Sequence, residues 1–266
     1  MNGGALRILL CNDDGISAPG LNCLATVLGT EHEVYVIAPD RERSGVGHAF
    51  TLTKPLRCDE APALFPSEFV ARAWSCSGTP VDCVKMGILK IFADDPPDLV
   101  VSGVNRGSNL SVDHLYSGTV AGALEAVIEG VPAIAISVEI VRDSKHHHFE
   151  AAAEFVRRFL LDEASKGLLS NEYALNINVP AMPIDETKGF RMTCIASCNY
   201  IDKYIEHRDP HGRPYYWLEG KINVEDDRSW ADIVALREGY VSITPLSPNM
   251  TNHRVLKELR EKLSQD

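Results

Sequence analysis

Leu6 to Cys11 is a short apolar run broken only by Arg7, and it stops at Asn12-Asp13-Asp14-Gly15. An apolar run closed by turn residues predicts a strand buried on both faces, as in a parallel sheet. After Pro19-Gly20, Leu21, Leu24, Val27 and Leu28 recur at helical spacing, and Gly29 predicts the stop. Glu33 to Ala38 predicts a second strand, ending at Pro39-Asp40. The pattern then repeats. Thr79-Pro80 with Asp82 offers an N-cap, a proline at the first helical position and an acidic first turn for a helix through Val84, Ile88, Leu89 and Phe92. Asp98 to Ser102 predicts a strand, Ser117 to Gly130 a helix, Pro132 to Val138 a strand, and Phe149 to Leu161 an amphipathic helix.

Strands alternating with helices predict an α/β sandwich around a mainly parallel sheet. Beyond about residue 180 the pattern changes. Strand-like segments appear at Tyr215-Tyr216-Trp217, Ile233 to Leu236 and Tyr240 to Thr244, with turn signals such as Asp209-Pro210-His211-Gly212 in the same region. A charged amphipathic helix is expected from about Asn252 to Leu263, with Val255, Leu256, Leu259 and Leu263 as its apolar stripe. The expected organisation is a core over residues 1–180 and a β-rich extension with a terminal arm over 181–266.

The 266 residues carry 26 Lys and Arg against 37 Asp and Glu, a net charge of −11, which argues against coating DNA or RNA. The most apolar stretch, Val131 to Val141, is too short to span a bilayer and contains Glu139. No membrane association is expected. The first residues lack the basic and apolar regions of a signal peptide. Seven scattered cysteines, with no Cys-x-x-Cys, read as free thiols in a reducing cytoplasm.

In an open parallel sheet, ligands bind beyond the carboxyl ends of the strands. Three polar loops fall there: Asn12-Asp13-Asp14-Gly15, Pro39-Asp40-Arg41-Glu42-Arg43-Ser44-Gly45, and Ser102-Gly103-Val104-Asn105-Arg106-Gly107-Ser108-Asn109. Adjacent carboxylates repel, so ionising both is easier beside a cation. Asp13, Asp14, Ser44 and Asn105 could supply hard oxygen ligands suited to magnesium, manganese or calcium rather than zinc. Asp-Asp-Gly alone is equally a polar turn, and it is the coincidence of three loops that favours a site. Tyr116-Ser117-Gly118-Thr119 opens a helix whose free N–H groups and hydroxyls form a phosphate cradle, or else an ordinary cap. His146-His147-His148 reads as a solvated approach to a helix. Neither a serine-hydrolase elbow nor a complete dinucleotide fingerprint is present.

At these loops the sequence resembles the SurE family, the stationary-phase survival nucleotidases. The matching pieces are Asn12-Asp13-Asp14-Gly15 with Ala18-Pro19-Gly20, and Ala38-Pro39-Asp40-Arg41 with Arg43-Ser44-Gly45. Ser102-Gly103-Val104-Asn105 with Gly107 and Asn109, then Tyr116-Ser117-Gly118-Thr119-Val120, continue the series. Asn176-Ile177-Asn178-Val179-Pro180, Arg208-Asp209-Pro210 with Tyr216-Trp217, and Gly239 to Leu246 complete it. Val46-Gly47-His48-Ala49-Phe50 and Ala231-Asp232 depart from the usual pattern.

The resemblance implies a three-layer Rossmann-like core with a β-hairpin and a helical arm exchanged between subunits of a homodimer or homotetramer. It implies a phosphatase of nucleoside 5′- and 3′-monophosphates using one divalent cation per subunit, magnesium or manganese, held by Asp13, Asp14, Ser44 and Asn105. Asp13, Asp14 and Asn105 would act in the chemistry, while Ser44, Gly45, Asn109, Ser117, Gly118 and Thr119 would bind substrate. Two rival readings remain: a haloacid-dehalogenase-type phosphatase, which would want Asp-x-Asp rather than adjacent aspartates, and a non-catalytic nucleotide-binding regulator.

Overall fold

The computed structural model describes residues 4–141 and 147–263. Its elements in chain order are β1 (Arg7–Cys11), α1 (Pro19–Leu28), β2 (Glu33–Pro39), β3 (Cys58–Glu60), β4 (Arg72–Cys76), α2 (Pro80–Met86), β5 (Leu99–Arg106) and α3 (Gly118–Ile128). They continue with β6 (Ala133–Val138), α4 (Phe149–Leu161), α5 (Glu163–Lys166), β7 (Ala174–Val179), β8 (Phe190–Met192), β9 (Cys198–Arg208), β10 (Pro214–Val224), α6 (Asp232–Arg237), β11 (Val241–Leu246) and α7 (His253–Leu263). Among the described residues, nine strands form one sheet in the order β3-β4-β2-β1-β5-β6-β7-β11-β8, and β9 pairs with β10 apart from it.

The run from β4 to β7 is parallel, with antiparallel β3 at one end and antiparallel β11 beside β7. Side chains alternate across the sheet and feed two cores. Ile8, Leu10, Val34, Val36, Leu99 and Val101 meet Leu21, Leu24 and Leu28 of α1 and Val156 and Phe159 of α4. Leu9, Cys11, Ile37, Val100, Ala133 and Ala135 meet Val84 of α2 and Val120, Ala123 and Val127 of α3. Fully burying each such side chain stabilises the fold by about 1.5–3 kcal/mol, so the three-layer α/β/α arrangement follows from the strands being apolar on both faces. The chain leaves β1 for β2 on one side and returns through β5 on the other. The switch point therefore lies between the ends of β1 and β5.

Several elements differ from expectation. Gly29 caps the end of α1 as expected, but with an ordinary right-handed φ of −66° rather than left-handed geometry. It is glycine because a Cβ would lie 2.2 Å from the Phe69 carbonyl oxygen. α2 has the expected capping box between Thr79 and Asp82 but widens into a π turn over Gly87–Ile91. Ser102 to Asn105, expected in a loop, continues β5, with a register shift against β6 between Ser102 and Asn105. Ile233 to Leu236, expected as a strand, is helix α6. β8 and β11, from beyond residue 180, join the main sheet beside β7. His146 lies outside the described residues. His148 precedes α4 with φ 49°, and the His147 ring lies 5.7 Å from that of Phe149.

Asp232 ties the late segments to the core. Fully buried, it accepts N–H groups from Ser111 (2.8 Å), Ala196 (3.0 Å) and Ile233 (2.7 Å). Asp232→Ala strands three donors and should lower the unfolding free energy by about 3 kcal/mol, read by urea denaturation. Asp232→Asn, which keeps one acceptor oxygen, should lose less.

Candidate functional site

The β1 and β2 ends are laced together by backbone hydrogen bonds. Arg43 N–H donates to the Asp13 carbonyl (2.7 Å) and Ile16 N–H to the Pro39 carbonyl (2.8 Å). Gly15, at φ +97°, allows this approach, since a Cβ there would crowd the Arg41 backbone at 3.1 Å. Asp40 N–H donates to the Cys76 carbonyl (2.7 Å), and Arg43 Nη2 to the Ser77 carbonyl (2.9 Å). These bonds aim Asp13, Asp14 and the Ser44 segment into one cavity of about 400 Å³. Its wall also includes Gly45, Asn105, Asn109 and Ser117.

Asp13 is almost fully buried. The Thr119 hydroxyl donates to its Oδ1 at 2.6 Å. Burial pushes its pKa above the ordinary carboxylate range, while that hydroxyl and the N–H groups of Thr119 and Gly118 oppose the rise. The positive end of α3 thus supports the charged form of Asp13. Gly118 is needed for this contact, because a Cβ would lie 2.8 Å from the Asp13 Cβ. Asp14 lies nearer the surface. Burial and then the neighbouring Asp13 charge raise it to about 6, opposed by the Arg106 N–H at 3.3 Å from Oδ2.

Asn105 gives its amide N–H to the Gly107 carbonyl (2.7 Å), which leaves its carbonyl oxygen as an acceptor. Ser44 donates to Glu42 Oε1 (2.9 Å) and keeps its lone pairs. Asn109 is held from behind: its N–H donates to Asn178 Oδ1 (2.7 Å), its side-chain amide to Ser137 Oγ (2.8 Å), and its carbonyl accepts Asn176 Nδ2 (2.8 Å). The two asparagines on β7 therefore position Asn109. Ser117 Oγ caps α3 by accepting the Val120 N–H at 3.1 Å.

Thr119 and Gly118 sit behind Asp13 and not on the cavity wall, so the hydroxyl expected to meet a phosphate is committed to a carboxylate. Glu42, Arg106, Ser108, Asp113, Tyr116 and Ile140 line the cavity without having been singled out in the sequence. Four of them, Glu42, Arg106, Ser108 and Tyr116, stand inside the polar loops and the helix-start motif quoted from the sequence, where no individual role was given to them. Asp113 and Ile140 carried no such signal. The Ser108 hydroxyl is buried without a hydrogen-bond partner, a polar atom available to a ligand.

Two carboxylates, an amide oxygen and a hydroxyl make an all-oxygen donor set, which fits a hard divalent cation. Among the described residues, no group of three or more His, Cys, Asp or Glu side chains forms a metal cluster, so neutral oxygens would have to complete the shell. No helix of the described residues is long and apolar enough to cross a membrane.

The family model described as "Survival protein SurE" matches residues 8–202. A protein of Synechococcus sp. strain JA-3-3Ab, named 5′-nucleotidase SurE, is 44% identical over 257 residues, covering 96% of both chains. The protein of the same name from Fervidobacterium nodosum is 46% identical over 256 residues, again covering 96% of both. A crystal structure of the SurE protein from Aquifex aeolicus superposes with a TM-score of 0.78 at 36% identity, covering 97% of this chain and 99% of that one.

Asp14 makes a pH prediction for cation-free protein. Its folded value of about 6 stands above the ordinary 3.8, so the folded state holds the proton more tightly. Its contribution to stability is fully present below about pH 4 and is lost as pH rises through about 6. The loss should be roughly 2 kcal/mol, allowing for partial solvent screening. In denaturation curves taken with chelator, Asp14→Asn should lack this component and gain on wild type between pH 4 and 7.

Proposed function

The chain belongs to the Survival protein SurE family, and from that premise we propose that it hydrolyses nucleoside 5′- and 3′-monophosphates with one divalent cation per subunit. The observation that carries this reading is the convergence of Asp13, Asp14, Ser44 and Asn105 on one cavity at the switch point of the sheet. Their oxygens would hold magnesium or manganese. The bound cation supplies positive charge that neutralises phosphoryl oxygens and acidifies water.

The chain's own residues account for the rest. Burial raises the Asp13 carboxyl, and the Thr119 hydroxyl and the α3 terminus oppose that rise by favouring its charge. Asp14, shifted toward neutrality, is suited to take a proton from the attacking water. Asn105, fixed through Gly107, orients a phosphoryl oxygen, and Arg106 and Ser108 offer further donors at the wall. Tyr116, exposed at the rim, offers a face on which a base can stack. Adjacent aspartates, one of them packed against α3, favour direct attack by water over an aspartyl intermediate. Seven free cysteines suit a reducing, cytoplasmic setting.

The reading is tested by phosphate release from nucleoside monophosphates. Chelator should abolish release, and Asp13→Asn or Asp14→Asn should lower kcat at least about 100-fold in a folded protein. Thr119→Val should weaken cation affinity and leave KM for the nucleotide little changed. Activity unaltered by chelator would overturn the reading, and binding without release would leave a regulator.

Assembly into a homodimer or homotetramer is part of the proposal. α7 has no buried residue, and Leu256, Leu259 and Leu263 are exposed along its stripe. The β9–β10 hairpin exposes Tyr204, Tyr216, Trp217 and Leu218. A second subunit would cover both. A chain ending at Met250 should contain fewer subunits by light scattering than the full chain. An unchanged number of subunits would reject the arm as the contact.

A further inference from the structure

Cys11, Cys76 and Cys83 share one core cluster, and Cys58 packs against it. Cys58 is partly exposed and the other three are buried. In the β3–β4 ladder Cys58 stands directly opposite Cys76. The next rung is hydrogen bonded, with Ser77 N–H on the Arg57 carbonyl (2.9 Å), and so is the rung three places along the other way, with Ala61 N–H on the Ala73 carbonyl (2.8 Å). Bonded and open rungs alternate in an antiparallel pair, so Cys58 and Cys76 occupy an open rung. Open rungs bring Cα atoms to about 4.5 Å and side chains closest, inside the roughly 4.4–6.8 Å range that a disulfide spans.

We propose that Cys58 and Cys76 are an oxidative modification site, converted by hydroperoxides into a cross-strand disulfide. Cys58 is the thiol that solvent reaches; its hydrogen bond to Cys76 raises its pKa, so its attack needs the Cys76 sulfur to take up its proton. The Cys58 sulfur attacks a peroxide oxygen, the O–O bond breaks, and the alcohol (water, from hydrogen peroxide) departs with the thiol proton, leaving a sulfenic acid. Cys76 Sγ, which accepts the Gly78 N–H at 3.4 Å, then attacks the Cys58 sulfur. The S–O bond breaks and water leaves with the second thiol proton. The two thiols lose two electrons and the peroxide gains them.

The site matters because of what Cys76 already holds. Its carbonyl accepts the Asp40 N–H, at the start of the segment that carries Ser44 and runs on to Cys58. With the bridge formed, both ends of that segment fasten to one residue. The inference stands on the thiol geometry and is independent of the substrate assigned above.

The test treats the full chain with hydrogen peroxide and maps its peptides. The expected product is a Cys58–Cys76 linked peptide, with the unfolding midpoint raised by roughly 5–10 °C and restored by dithiothreitol. Amide exchange over residues 41–57 should slow in the same sample. Cys83→Ala should still form the bridge, and Cys58→Ser should not show the rise. Sulfinic or sulfonic acid on Cys58 without a linked peptide, or linkage of Cys76 to Cys83, would overturn the proposal.

Discussion

Two carboxylates must stand side by side at the end of a strand that is buried on both faces. Burial works against their charge, and so does each carboxylate against the other. The fold answers by bringing the start of α3 against Asp13. That contact requires Gly118 in place of any larger residue, and Gly122 one turn on, where a Cβ would lie 3.0 Å from Ser102 Oγ. α3 in turn is seated by Val120, Ala123 and Val127 over small alanines of β6. The packing of that layer therefore sets the charge available at the site.

Much of this was legible from local signals. Apolar runs ending in polar loops marked the strand ends, and Thr79-Pro80 with Asp82 marked a helix start through backbone chemistry that needs no tertiary context. Asp13, Asp14, Ser44, Gly45, Asn105, Asn109 and Ser117 do share one cavity. What was hidden depends on neighbours distant in sequence. Ile233 to Leu236 is apolar enough for a strand, but Asp232 and its three donors place it as a helix. Gly29 does cap α1 as its sequence suggests, but its lack of a side chain is required by Phe69, far along the chain. Thr119 looked like a ligand for phosphate because nothing in the sequence says which way its hydroxyl faces.

A comparable indirectness appears at Asn109. Its own motif gives no role to the two asparagines of β7, which are fully buried and fix its backbone through Asn176 Nδ2 and Asn178 Oδ1. A polar residue inside a sheet is costly unless it is bonded, so these two mark the site from behind. Asp232 likewise is a carboxylate employed as mortar between segments. Polar residues in this molecule thus divide between those that face the cavity and those that aim the first group.

The cavity wall has a further consequence for how fast a substrate arrives. Asp13, Asp14, Glu42 and Asp113 line it beside Arg106, the single cationic side chain among the described lining residues, on a chain of net charge −11. A dianionic phosphate ester diffusing toward it meets a repulsive field until a counter-ion intervenes. Salt normally slows charge-guided encounters by screening attraction. Here the same screening removes a barrier, so encounter should quicken as ionic strength rises, the reverse of an enzyme that draws its substrate in.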